Sequence, residues 1–307
     1  MPSRSPFGRA VLIVDPAAGR GEVSREMPEV ERQLLARRLD YRIEEAREPG
    51  EATRLVREAL AAGERFLVAV GDDLTVEQIV NGLLDDGRAL APDAVLGVVA
   101  AGSGADFPKT FGLPGDSVRA VRHLAGDRTY RIDAVRVSFR AEGGEGIRHF
   151  AGVAQAGLGA AMVSRAERLP RPLGRARRFL GFWLAMAATR PRDLVVTVNR
   201  AEWRGRAWNV VVGNCQFSAG MRISPRSFPG DGVLDVLIHH GPMSEAFTQL
   251  PKVFQGEQVP HPHIKEYRAQ TVEIRADHPI PLEADGQILG TTPARFEILP
   301  EALTLKI

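Results

Sequence analysis

Residues 65–84 read RFLVAVGDDLTVEQIVNGLL. Arg65 to Val70 is a short run, apolar after its first residue, of the kind that forms a strand buried on both faces. Gly71-Asp72-Asp73 interrupts it, and from Thr75 to Leu84 the apolar residues return at helical spacing. The same strand–turn–helix unit recurs on both sides. Upstream, Ala10 to Asp15 (AVLIVD) ends at Pro16 and a small-residue turn, followed by a helical pattern over Val23 to Leu39. Tyr41 to Glu45 reads as a strand, and Ala52 to Ala62 as a helix closed by Gly63. Downstream comes the strand candidate Val95 to Val99. Such cycling implies a doubly wound α/β domain, whose ligands sit beyond the carboxyl ends of its strands.

Near Tyr130 the pattern changes. Arg131 to Phe139, His149 to Gln155, Leu194 to Val198, Ala207 to Gly213, Leu234 to His239 and Thr271 to Arg275 are strand-like. Gly143-Gly144, Pro229-Gly230 and Asp285-Gly286 punctuate them as turns. One helix, Arg175 to Thr189, stands out. The expected organisation is an α/β domain over 1–130 and a β-rich, sandwich-like domain over 131–307, with a cleft between them. A return of the last strand to the first domain is left open.

Composition narrows the function classes. The 307 residues carry 40 Lys+Arg against 38 Asp+Glu, a net charge of +2, too balanced for a nucleic-acid binder. Only four basic residues are lysines, and the arginine excess reads as composition. One cysteine, Cys215, excludes an internal disulfide and a thiolate-only zinc site. No apolar run reaches the ~18 residues of a membrane span, and Met1 to Ala10 lacks a signal peptide's apolar stretch. A cytoplasmic protein is expected.

The order of landmarks resembles the diacylglycerol kinase catalytic family, which includes bacterial soluble lipid kinases and sphingosine kinases, with the NAD kinases as distant relatives. The family's Asn-Pro-x-x-Gly turn appears as Asp15-Pro16-Ala17-Ala18-Gly19. Its Gly-Gly-Asp-Gly-Thr loop appears as Gly71-Asp72-Asp73-Leu74-Thr75, followed by Asn81-Gly82-Leu83. Its Gly-Thr-Gly-Asn-Asp-Phe loop appears as Gly102-Ser103-Gly104-Ala105-Asp106-Phe107. Ile132-Asp133, Val212-Gly213-Asn214, Ser224-Pro225, Gly230-Asp231-Gly232-Val233-Leu234-Asp235 and Glu283-Ala284-Asp285-Gly286 follow in order. The resemblance implies transfer of the ATP γ-phosphate to a lipid hydroxyl with Mg²⁺. It places the nucleotide at Asp15, Gly19, Gly71, Asp72, Asp73, Thr75, Gly102, Ser103 and Gly104. Backbone N–H groups of such glycine-rich loops can approach phosphates closely. The base carboxylate of the family falls at Gln287, oriented through Asp133 and Asp73. A structural Mg²⁺ falls at Asp231, helped by the carbonyls of Phe228 and Val233.

The departures cluster on these positions. Asp72 and Leu74 replace phosphate-loop glycines, Ala105 replaces an asparagine, and Gln78 replaces a glutamate. Two like unit charges about 4 Å apart repel by roughly 4 kcal/mol at an effective dielectric of 20, on the order of 1000-fold in affinity. Asp72 therefore opposes a polyphosphate unless a bridging Mg²⁺ offsets it. Gln287 cannot accept a proton at neutral pH. Asp285 lies two residues earlier and shares a face with Gln287 if the segment is extended, so it is a candidate replacement. Two readings follow: an ATP- and Mg²⁺-dependent lipid kinase, or a non-catalytic descendant that binds lipid or nucleotide.

Other features have plainer readings. Asp72-Asp73 could simply cap a helix, Asp133 could be a salt-bridged structural carboxylate, and Asp231 could make a turn. Pro260-His261-Pro262-His263 lacks a third ligand nearby in sequence and reads as a loop. The apolar stretch Phe179 to Ala188 is bordered by Arg171, Arg175, Arg177, Arg178, Arg190 and Arg192. It suits either a core helix or peripheral contact with anionic lipid through 171–192.

Overall fold

A computed structural model describes residues 5–100, 105–170, 173 and 176–307. Gly102, Ser103, Gly104, Arg171 and Arg175 lie outside the described residues. The chain divides into two units, Met1–Ala134 with Leu299–Ile307, and Val135–Ile298.

The first unit runs β1 (Ala10–Val14), α1 (Ala18–Ala36), β2 (Tyr41–Glu45), α2 (Glu51–Ala61), β3 (Phe66–Gly71), α3 (Asp73–Leu83), β4 (Leu84–Asp85), β5 (Arg88–Ala89), β6 (Val95–Ala100), α4 (Phe107–Thr110) and α5 (Ser117–Leu124). β7 (Thr129–Ala141) leads into the second unit. There follow β8 (Gly144–Phe150), β9 (Val153–Gly157), α6 (Leu158–Glu167), α7 (Ala176–Ala188), β10 (Arg192–Val198), β11 (Ala201–Ala207), β12 (Asn209–Gly213) and β13 (Leu234–His239). α8 (Glu245–Gln255), β14 (Ile264–Ala269), β15 (Thr271–Ala276), β16 (Pro281–Ala284) and β17 (Gln287–Lys306) complete it, the end of β17 returning to the first unit.

In the first unit β2, β1, β3 and β6 are neighbours in that order and all parallel, and Thr304 and Leu305 of β17 extend the sheet beside β6. Helices cover such a sheet, so β1, β3 and β6 are buried along their whole length, which explains their unbroken apolar sequences. Leu12, Val14, Phe66, Val68 and Val99 form the core with Val23, Val30 and Leu34 of α1 and Leu124 of α5. The Asn81-Gly82 landmark serves packing here. A Cβ on Gly82 would lie 2.6 Å from Val56 Cβ, so glycine lets α3 press against α2. Asn81 donates its amide to the Glu77 carbonyl at 2.9 Å and to the Glu77 carboxylate at 2.6 Å.

The second unit is antiparallel. β14, β13, β12, β9, β16 and β17 are successive neighbours, β10 pairs with β11 and β15, and β7 with β8. Alternate residues such as Leu194, Val196 and Val198 of β10 and Val272 and Ile274 of β15 point inward with Phe139, Phe150, Val212, Val236 and Phe296. The expected strand 149–155 is two strands, because Ala151 and Gly152 leave the ladder to meet a carboxylate described below. The expected strand 207–213 likewise divides at Trp208 into β11 and β12. The single expected helix is joined by α6, whose small residues weaken its periodicity, and by α8, which carries a proline, Pro251, inside it.

Candidate functional site

The predicted nucleotide residues follow the carboxyl ends of β1 and β3. Asp15 leaves β1 with its N–H donated to the Val70 carbonyl at 3.3 Å, and its carboxylate takes the Ala17 N–H at 2.8 Å. Gly19, with φ +59°, lies in the first turn of α1. Gly71 ends β3, where a Cβ would come 2.2 Å from Thr75 Oγ1, so the glycine makes room for the buried threonine. Asp72 is the N-cap of α3 and accepts the Thr75 N–H at 3.3 Å. Its carboxyl is raised above the usual range, chiefly by burial, while Thr75 N–H opposes the rise and the Asp15 charge adds to it. Asp72 thus occupies helix N–H capacity that a phosphate would otherwise use.

Asp73 points elsewhere. Its Oδ1 accepts the N–H groups of Asp106 at 2.8 Å and Phe107 at 2.9 Å, and Oδ2 lies 3.0 Å from the Asp106 nitrogen. One carboxylate therefore joins the start of α3 to the start of α4, immediately after the second glycine-rich loop. Asp106 is itself buried and paired with Lys109 at 2.6 Å. Asp133, fully buried on β7, accepts the Glu301 N–H at 2.8 Å. It fixes the returning segment, where Glu301 takes a left-handed φ of +50°.

In the second unit the structure does not produce the extended spacing that would put Asp285 and Gln287 on one face. Ala284 and Gln287 are paired residues of β16 and β17, joined by the two-residue turn Asp285-Gly286 with φ +46° and +83°. Asp285 turns inward. Oδ1 accepts Val153 N–H at 2.8 Å, and Oδ2 accepts Gly152 N–H at 3.1 Å and Ala151 N–H at 3.3 Å. Burial pushes its carboxyl up to about 6 against the pull of those three donors. A Cβ at Gly152 would fall 2.1 Å from Oδ1, so glycine permits the approach. Gln287 Oε1 is buried with no hydrogen-bond partner among the described residues.

Glu283, a landmark residue, lies outside the expected site residues. It is fully buried, accepting the Gln155 amide at 2.9 Å and the Gly286 N–H at 3.0 Å, and burial pushes its carboxyl up to about 8. Asn209 extends the network, donating to Gln155 Oε1 at 3.2 Å and accepting the Gly159 N–H at 2.9 Å. The available signal was a glutamate inside an apolar strand beside a turn. Because the folded value lies above the ordinary 4.5, the stability linked to protonated Glu283 is complete below about pH 4.5 and is lost as pH rises through about 8. Urea unfolding is expected to show a fall on the order of 4 kcal/mol between acid and alkaline pH, and Glu283→Gln to flatten it.

Magnesium is implied at two places. Asp15 and Asp72 lie at the ends of adjacent strands, and the Asp15 charge acts on Asp72. Their carboxylates are the oxygen ligands that a hard cation takes. Asp231 differs: Oδ1 accepts the Val233 N–H at 3.2 Å, and Oδ2 is engaged by the Arg268 guanidinium. The Phe228 carbonyl accepts the Gly230 N–H at 2.8 Å. Both Asp231 oxygens thus already have partners, one of them a guanidinium that an ion would displace.

Comparison with known proteins agrees with this architecture. Residues 9–137 match the diacylglycerol kinase catalytic domain, and residues 152–307 match the YegS C-terminal NAD kinase beta sandwich-like domain. A probable lipid kinase YegS-like protein of Klebsiella pneumoniae (strain 342) is 25% identical, over 99% of this chain and 97% of its own. A putative lipid kinase YtlR of Bacillus subtilis (strain 168) is 26% identical, over 96% of this chain and 98% of its own. The crystal structure of a putative diacylglycerol kinase from Bacillus anthracis superposes with a TM-score of 0.75 at 22% identity, covering 98% of this chain and 97% of that one. With both its α/β half and its β-rich half matched, the chain belongs to the diacylglycerol kinase-like lipid kinase family.

Proposed function

We propose that the chain is an ATP- and Mg²⁺-dependent phosphotransferase that moves the γ-phosphoryl group to a lipid hydroxyl. The observation that carries this reading is the Asp73 carboxylate, whose bonds to Asp106 and Phe107 keep the two glycine-rich segments registered on each other. Mg²⁺, held by Asp15 and Asp72, would neutralise phosphate charge. The loop after β3 and the start of α3 orient the phosphates, while Asp72 makes the site discriminate against nucleotide without metal. Gln287 can accept a hydrogen bond from the acceptor hydroxyl and orient it, but it cannot take the proton. Phosphoryl transfer passes through a loose transition state, in which positioning and electrostatics supply most of the rate. Turnover without a carboxylate at 287 is therefore slowed, not abolished.

Asp72→Gly tests the nucleotide site by calorimetry. Metal-free ADP is expected to bind the variant on the order of 1000-fold more tightly than the unaltered chain, with a much smaller gain for Mg·ADP. Equal changes in both would separate Asp72 from the phosphates. A second reading, a non-catalytic descendant that binds lipid or nucleotide, draws on the same Asp72 cap, and it predicts no phosphoryl transfer whether or not Mg·ADP binds.

The lipid would be met through α7. Phe182 and Ala185 are buried, whereas Phe179, Leu180, Trp183 and Leu184 are exposed beside Phe247 of α8. The Trp183 and Phe247 rings are 5.5 Å apart. Arg177 binds the Ala166 and Glu167 carbonyls at 3.0 and 2.9 Å, so it caps α6 and does not face a membrane. Among the described residues no helix is long and apolar enough to cross a membrane. Sedimentation with vesicles rich in anionic lipid is expected to fall about tenfold in Phe179→Ser/Trp183→Ser, on the basis of lost apolar burial.

A further inference from the structure

Four of the chain's seven histidines, His239, His240, His261 and His263, gather at one corner of the second unit. β13 ends at His239, α8 begins at Glu245, and β14 begins at Ile264, so three separate segments converge there. His263 Nδ1 lies 2.5 Å from Glu245 Oε1. His261 Nε2 lies 2.9 Å from the Gln249 amide, one α8 turn beyond Glu245. One ligand atom each of Glu245, His261 and His263 lies within 4.8 Å of the others. The third ligand that was not evident beside Pro260-His261-Pro262-His263 is thus supplied by a helix.

The surroundings are built for this approach. A Cβ on Gly241 would fall 2.4 Å from Glu245 Oε2 and 2.6 Å from His263 Cβ, so only glycine lets the carboxylate and the imidazole meet. The His240 ring is 5.9 Å from that of His263, and its Nε2 is buried without a hydrogen-bond partner, as is Gln249 Oε1. Burial holds His240 below the ordinary imidazole value.

We propose that Glu245, His261 and His263 form a binding site for a divalent first-row transition ion, zinc first among them, which ties α8 to the turn entering β14. Two imidazoles and one carboxylate are a zinc-type donor set, whereas magnesium takes oxygen ligands. Bonds of about 2.0–2.2 Å place tetrahedral ligand atoms about 3.3 Å apart, so Glu245 and His263 separate slightly as the ion replaces the proton between them. A neutral imidazole keeps that proton on its other ring nitrogen, and the fourth position is left to water. With its amide turned so that the unpartnered Oε1 accepts the His261 ring N–H, Gln249 holds the ring as the outer contact of a ligating histidine does.

The test uses the full chain, stripped with EDTA and desalted. ZnCl₂ titrated by calorimetry is expected to show one saturable equivalent. Excess MgCl₂ should not compete. His261→Asn and His263→Asn are each expected to weaken zinc about 100-fold or more, and Gln249→Ala by about tenfold. CoCl₂ gives an independent readout on the unaltered chain, with intense visible bands expected for a four-coordinate ion. Weak octahedral cobalt bands, or unchanged one-equivalent zinc binding in a folded His261→Asn/His263→Asn chain, would overturn the site. If the variants do not fold, the cobalt spectrum alone decides.

Discussion

Gln287→Glu is expected to raise the rate of lipid phosphorylation about 100-fold or more, measured as initial rate at saturating Mg·ATP. A positioned general base contributes typically about 10²–10⁴-fold, and an amide contributes none of it. Gln287 starts β17 with Oε1 buried and unpartnered, and burial makes a carboxylate placed there more basic. A carboxylate there would gain a basic oxygen where the amide has an unused one. The gain belongs in kcat, because the acceptor proton leaves only as the phosphoryl group transfers, and nucleotide KM should hardly change. A variant that binds Mg·ADP as before yet gains no rate would place the base elsewhere.

Asp285→Ala is expected to lower stability by about 3–5 kcal/mol in urea unfolding, the larger of the structural effects. The carboxylate answers three backbone N–H groups of Ala151, Gly152 and Val153. Each donor left without a partner costs about 1–3 kcal/mol, partly relieved where water enters. Asp285→Asn keeps the shape and one acceptor oxygen, so it should lose less. Loss of activity in either variant would then follow the loss of folded protein, which distinguishes a turn-forming carboxylate from a proton acceptor.

These two residues show where the sequence was legible. The α/β half could be read because a parallel sheet buried on both faces leaves unbroken apolar runs, as in Ala10–Val14 and Phe66–Gly71. The order of the landmarks survived as well, because several of their glycines have a packing duty. Gly71 makes room for Thr75, Gly82 admits Val56, and Gly213 admits Ser224. The destinations of the carboxylates were less legible. Asp73 reaches residues 33 and 34 positions away, and Asp133 one 168 positions away, contacts that no local pattern records. Asp285 was assigned by strand spacing, and the left-handed turn cancels that spacing. Glu283, with its carboxyl pushed up to about 8, and Glu245, brought to two histidines by α8, depend on tertiary packing in the same way.

The most direct measurement is transfer of label from γ-phosphate-labelled ATP to mixed vesicles containing diacylglycerol, by the purified unaltered chain with Mg²⁺. A slow but enzyme-dependent appearance of labelled lipid, abolished by EDTA and accelerated in Gln287→Glu, is the expected result. No labelled lipid from either chain, together with no thermal shift by Mg·ATP, would contradict the kinase reading.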